Sequence, residues 1–146
     1  MTIKKSVRDL KQRIIDEMYT DESGVLERCF DQAKEFVQIT REGGIVLAHR
    51  DRLTGKEQIM LYLIGKVYAK TAGKATGDDV GNEELATELG IPMGSLRPWL
   101  KALRDANMVK SIRKNRHTNH AVQLNVVERF LLSAIKKLRD TKEKKP

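Results

Sequence analysis

With one cysteine, Cys29, the chain cannot close an internal disulfide, and that residue's place on an apolar helical face predicts a packing role for it. Aromatic residues are also scarce, at 5% against 33% charged, a balance that fits a helix-rich water-facing fold. No apolar run is long enough to span a bilayer, and Met1–Lys5 leads into an amphipathic helix rather than a signal sequence, so a cytoplasmic protein with no membrane partner is expected. Catalytic signatures are missing as well. There is no HExxH, no nucleophile placed beside a base, and neither Gly55-Lys56 nor Gly73-Lys74 has the flanking glycine and hydroxyl of a phosphate loop. The three histidines, His49, His117 and His120, have no cysteine near them, which argues against a metal and leaves His117 and His120 as contacts or solvated loop residues. Neither an enzyme nor a cofactor is therefore expected.

The remaining scarcity is local: acid is nearly absent from Ser95 to His120. That window holds Arg97, Lys101, Arg104, Lys110, Arg113, Lys114 and Arg116 against the single carboxylate of Asp105, and so carries most of the chain's net charge of +8. Residues 1–40, by contrast, hold seven cations and eight anions. Such a basic patch gains affinity for nucleic acid by releasing counterions, and the acid-free stretch differs from an ordinary solvated face, which mixes both signs.

Hydrophobic periodicity organises the rest. Ser6–Met18 carries Val7, Leu10, Ile14, Ile15 and Met18 in one stripe, and after a break at Asp21–Ser23 a second stripe of Leu26, Cys29, Phe30, Ala33, Phe36 and Val37 predicts another helix. Val37–Thr40 and Ile45–Ala48 flank Arg41-Glu-Gly-Gly44 and read as a hairpin. Thr54-Gly-Lys-Glu57 has capping-box spacing and opens Ile59–Tyr68, apolar nearly all round, which predicts a buried central helix. Residues 71–79 read as a connector.

Next, Asn82–Leu89 has an N-cap residue, early glutamates and an apolar stripe of Leu85, Ala86 and Leu89, with Gly90 as its left-handed stop. A second helix, Met93–Ala106, turns Leu96, Trp99, Leu100 and Leu103 inward and Ser95, Arg97, Lys101 and Arg104 outward. Trp99 is expected in the core. Pro98 requires either that the regular helix begin near Ser95 or that it kink, and Asn107 can end it in the left-handed conformation. Val109–Arg113 and His120–Leu124 then alternate as two strands joined by the polar run Lys114–Asn119. Asn125–Glu128 has cap spacing ahead of a final helix displaying Val127, Phe130, Leu131, Ala134, Ile135 and Leu138, and residues 140–146 read as a frayed basic tail.

The segment NEELATELGIPMGSLRPWLKALRDANMVKSI resembles the winged helix-turn-helix DNA-binding superfamily, particularly its compact archaeal and bacterial regulators. The likeness covers about half the chain. It implies a mainly α fold with a small β-hairpin wing (α+β), residues 54–139 forming the winged domain with its C-terminal helix, after a helical and hairpin extension at 1–53 and before the tail at 140–146. It also implies that residues after the turn touch bases, here Gly94, Ser95, Arg97, Pro98 and Lys101. The expected protein is a homodimeric double-stranded DNA binder and transcriptional regulator. Its DNA-binding residues are Ser95, Arg97, Lys101 and Arg104 on the recognition helix and Arg113, Lys114, Arg116 and His117 on the wing. The alternative is a winged-helix interaction module in a larger nucleoprotein or regulatory assembly, with a protein partner held through the N-terminal helices.

Overall fold

The computed structural model describes residues 2–18 and 22–143, and of residues 2–8, 16, 22–23 and 141–143 the backbone only. Among these described residues seven helices and two small antiparallel sheets follow in the order α1 (Thr2–Glu17), α2 (Glu22–Arg28), α3 (Phe30–Lys34), β1 (Val37–Ile39), β2 (Ile45–Leu47), a 3-10 turn at Arg50–Arg52, α4 (Gly55–Thr71), β3 (Val80–Gly81), α5 (Asn82–Leu89), α6 (Met93–Asp105), β4 (Val109–Lys114), β5 (His117–Val122) and α7 (Leu124–Glu143). This is an α+β architecture, as expected.

Everything is arranged around α4. Its start is fixed by Thr54, whose hydroxyl accepts from the Glu57 amide at 3.2 Å while the Glu57 carboxylate accepts from the Thr54 amide at 2.8 Å, the capping box predicted from spacing. Every residue from Ile59 to Gly65 is buried, so α4 has no solvent face along that stretch and must be covered from all sides. The β1–β2 hairpin, paired Val37 to Leu47 and Ile39 to Ile45, covers one side; α5, α6 and β5 cover another. Gly65 permits the hairpin's close approach: a Cβ there would lie 2.7 Å from Ile45 Cγ2 and 3.0 Å from Val37 Cγ1. Trp99 of α6 lies half-buried over Gly55, which likewise leaves no room for a Cβ.

Polar ties lock these layers. The Arg50 guanidinium donates through Nη2 to the carbonyl of Leu89, the last residue of α5, and through Nε to Gln58 Oε1 at 3.1 Å. At the other end of α4, the Tyr68 hydroxyl donates to the Leu26 carbonyl at 2.6 Å, holding α2. Val127, Leu131, Ala134 and Leu138 of α7 are buried, with α2 and α3 packed against that helix, and the Lys137 ammonium reaches Glu57 at 2.7 Å. The larger part of the C-terminal stripe is therefore consumed within the chain.

Several boundaries differ from expectation. The stripe from Leu26 to Val37 is two short helices broken at Cys29, and Phe30 is exposed; Cys29 itself is buried as expected. Periodicity alone carries across a single-residue turn, which is why the break does not show in the apolar pattern. Asn82 is the first residue inside α5, with Gly81 at the cap, because the Asn82 side chain is drawn to His120 instead. Helix α7 opens at Leu124 and runs on through Glu143, past the expected tail boundary at 140; residues 144–146, the Val7 side chain and Asp21 lie outside the described residues. Gly90 (φ 65°) and Asn107 (φ 58°) are both left-handed, as their helix-ending roles require.

Helix α1 stands apart. Leu10, Ile14, Ile15 and Met18 are all exposed, Met18 at 76%. Among the described residues no helix is long and apolar enough to cross a membrane.

Because Gly65 is the contact point between α4 and the hairpin, Gly65→Ala should destabilise the protein by about 1–3 kcal/mol through overpacking, more than the roughly 1 kcal/mol that alanine gains in helix propensity. Urea unfolding followed by circular dichroism measures this; an unchanged midpoint would show that the hairpin yields freely.

Candidate nucleic-acid interface

Three apolar residues fix the orientation of α6. Leu96, Leu100 and Leu103 are buried, and burial of each stabilises the docking of α6 by about 1.5–3 kcal/mol. Arg97 and Lys101 are consequently exposed, and Arg104 is half-buried at the edge of the helix. The helix is continuous from Met93 through Pro98, so the late start near Ser95 is not what occurs. Pro98 offers no N–H to the carbonyl four residues earlier, and that residue is Gly94, where nothing lies within 4 Å of the position a Cβ would take.

The partner of α6 is the second sheet, in the order β3-β5-β4. β4 and β5 form a hairpin with Lys114 opposite His117, leaving a two-residue turn of Asn115 and Arg116, with Asn115 at φ 54°. The expected loop from Lys114 to Asn119 is thus mostly strand, since Asn115 supplies the left-handed residue that a tight hairpin needs. Val80 supplies the third strand, paired with His120. Alternation along β5 puts Thr118 and His120 on one face and His117 and Asn119 on the other.

Two clefts result. One, of about 540 Å³, lies between α6 and β5 and is lined by Arg97, Pro98, Leu100, Lys101 and Arg104, together with Asn82, Thr118 and His120. The other, of about 580 Å³, runs between the starts of α5 and α6 and the hairpin tip; Arg97, Arg116, His117 and Thr118 line it together with the carboxylates of Glu83 and Glu84. Arg97 borders both. The structure therefore brings Arg97, Lys101 and Arg104 together, and Arg97 with Arg116 and His117. Ser95 is half-buried and lines neither cleft, and Arg113 stands exposed on β4 opposite Thr118.

Two of the expected cations already have carboxylate partners. Lys101 contacts Asp105 at 3.0 Å, one helical turn away. Lys114 contacts Asp79 at 3.0 Å, and Asn119 Nδ2 donates to the same carboxylate at 2.7 Å. The Asn119 amide first, with the Lys114 ammonium beside it, holds Asp79 below the ordinary carboxylate range. Asp79 lies outside the acid-free window of sequence, yet the fold brings it to the hairpin. Among the described residues Arg97, Arg104, Arg113 and Arg116 have no ion-pair partner. Exposed pairs contribute roughly 0.2–1 kcal/mol, so the Lys101 contact is readily exchanged for a phosphate.

His120 corrects the sequence reading most. Expected as a contact or loop residue, it is 2% exposed, its Nε2 is 2.6 Å from Asn82 Oδ1, and its Nδ1 has no hydrogen-bond partner among the described residues. The apolar Ala121 and Val122 that follow it are both buried, and the end of β5 thus carries His120 into the core with them. Burial first, and then the charge of Arg104, push its pKa down from 6.5. Asn82 and Thr118, also absent from the expected set, complete its surroundings.

Comparison with known protein families, with curated proteins and with solved structures returns no match to this chain.

Because the folded protein holds His120 below 6.5, the unfolded chain binds that proton first. Stability should fall as pH drops below 6.5 and continue to fall until pH passes the lower folded-state value. Thermal unfolding between pH 8 and pH 5 checks this in the native chain, and His120→Gln, which retains a donor toward Asn82, should flatten that part of the profile.

Proposed function

We propose that this chain is a winged helix-turn-helix protein that binds double-stranded DNA, with α6 as recognition helix in the major groove and the β4–β5 hairpin as wing on the flanking backbone. The observation that carries this reading is the position of Arg97. It borders both clefts, between a helix whose outer face is basic and a hairpin tip bearing Arg116 and His117. An exposed α-helix framed by cations has the width and charge to enter a major groove, and a guanidinium can contact guanine O6 and N7 together. Lys101 and Arg104 then face phosphates, while Arg113 and Arg116 hold the flanking backbone. Lys114 has a structural duty to Asp79 and contributes charge rather than contact.

A regulatory role follows from sequence-specific binding by a dimer. The exposed apolar residues of α1 support a subunit interface there rather than on α7, whose main stripe is buried within the chain. Two-fold pairing would present two copies of α6 to half-sites about 34 Å apart on an inverted repeat. The same exposed face also favours a second reading, in which α1 docks a different protein and the domain serves a larger assembly.

Selection of bound duplexes from a random library tests the function directly; enrichment of an inverted repeat is the expected result, and no enrichment above background overturns it. Within a selected site, Arg97→Ala should cost about 1–3 kcal/mol and relax preference at one base pair, whereas Arg116→Ala should weaken all duplexes alike and lower the salt slope by about one. Uniform weakening on Arg97→Ala would make that residue a phosphate contact.

Light scattering should report a dimer at micromolar concentration. Leu10→Asp with Ile14→Asp should yield a folded monomer with an unchanged circular-dichroism spectrum, because both side chains are exposed in the single chain. A monomeric native protein would refute the dimer.

A further inference from the structure

The cleft between α6 and β5 has an unusual floor. Three cations, Arg97, Lys101 and Arg104, line it with the Thr118 hydroxyl, and no carboxylate is among its lining residues. Beneath them lies the His120 ring, 2% exposed, with Nε2 against Asn82 Oδ1 at 2.6 Å and Nδ1 without a partner. Since an amide oxygen only accepts, Nε2 carries the proton in the neutral ring, and Nδ1, itself buried, is left as a lone pair without a partner among the described residues, on a ring that lines the cationic cleft. A buried polar atom in that condition costs about 1–3 kcal/mol unless something completes it.

We propose that this cleft is a binding site for a phosphate-class oxyanion, and that His120 takes up a proton at Nδ1 as the anion enters. A dianion accepts from the guanidinium of Arg104, the ammonium of Lys101 and the Thr118 hydroxyl, and its field cancels the Arg104 charge and favours the imidazolium against the burial that keeps His120 neutral. The imidazolium then donates through both nitrogens, Nε2–H to Asn82 and Nδ1–H toward the anion. A carboxylate has two oxygens for this set of donors; a phosphate has enough to meet donors arriving from both α6 and β5.

The electrostatic surroundings of His120 agree. On α6 the facing charges are Arg104, Lys101 and Arg97; α5 contributes the neutral Asn82, β5 Thr118, and the neighbouring strands Val80 and Ser111 by register. Asp79 is held by Asn119 and Lys114 and Glu84 by Tyr62 and Lys66, while Asp105 pairs with Lys101 on the exposed side of α6, a contact that Lys101 exchanges for the anion. In the unliganded protein burial and Arg104 push the His120 pKa down, the condition from which an entering anion raises it.

Such an anion has two sources, the backbone of a duplex or a free phosphorylated small molecule; the first rests on the DNA-binding reading above and the second does not. The test is an NMR titration of the His120 imidazole in the full-length protein, with sulfate as a tetrahedral dianion of constant charge from pH 5.5 to 8, and separately with a library-selected or random duplex. Sulfate should move the His120 titration upward and bind more tightly at pH 5.5 than at pH 8, the ratio growing toward the factor of about ten per unit of pKa coupling as pH falls below the free protein's own value. Arg104→Gln, at a half-exposed position, should weaken sulfate while leaving the fold intact. If the duplex moves His120 as sulfate does, the backbone supplies the anion. If sulfate moves it and the duplex binds without doing so, or does not bind at all, the site belongs to a free phosphate-bearing ligand, and only the last of these counts against DNA binding. If neither sulfate nor duplex moves His120, the proposal is overturned, as it is if sulfate binds equally at both pH values.

Discussion

A helix that is apolar on every side along two turns cannot rest on a surface, and α4 is such a helix between Ile59 and Gly65. Its burial sets the position of everything else. The hairpin of β1 and β2 must lie on it, which requires Gly65; α5 and α6 must lie on another side, which directs Leu85, Leu96 and Leu100 inward. Once those leucines are committed, helical geometry leaves Arg97 and Lys101 no choice but the outside. The basic face is a consequence of the core, arising because the residues between the leucines happen to be cations and not a mixture of signs.

Much of this order is legible in residues. The Thr54–Glu57 box, the all-round hydrophobicity after it and the Gly90 stop each reflect interactions within a few positions, where sequence spacing and spatial distance coincide. The α2–α3 break at Cys29, the buried His120 and the reassignment of Asn82 escape that logic. Asn82 and His120 are each decided by a partner far along the chain, for they are 38 residues apart and hydrogen-bonded. A residue with strong local capping preference gives it up when a buried imidazole offers a better partner, because an unpaired ring nitrogen in the core costs more than a cap gains.

The candidate site shows the same division. Arg97, Lys101 and Arg104 were visible as one helical face, and their outward direction needed only the leucine stripe. What sequence spacing hides is their relation to β5. A window count makes Lys114 equal to Arg116, yet Asp79, 35 residues earlier, claims Lys114 and leaves Arg116 at the hairpin tip with Arg97 across the cleft. Net charge in a sequence window therefore overstates the number of cations free to meet a ligand.

That distinction bears on how the interface would work. Lys114 and Asn119 together fix Asp79, and Asp79 precedes β3, so the sheet that positions the hairpin is held by an ionic contact next to the proposed wing. Rigid placement of the hairpin keeps Arg116 and His117 at a set distance from α6, and preorganisation of this kind reduces the ordering cost of binding. Arg97 serves best in such an arrangement because it has no carboxylate to leave: its guanidinium meets a partner without first breaking a contact. The unpartnered arginines would set affinity, and the paired lysines would set the geometry in which that affinity is expressed.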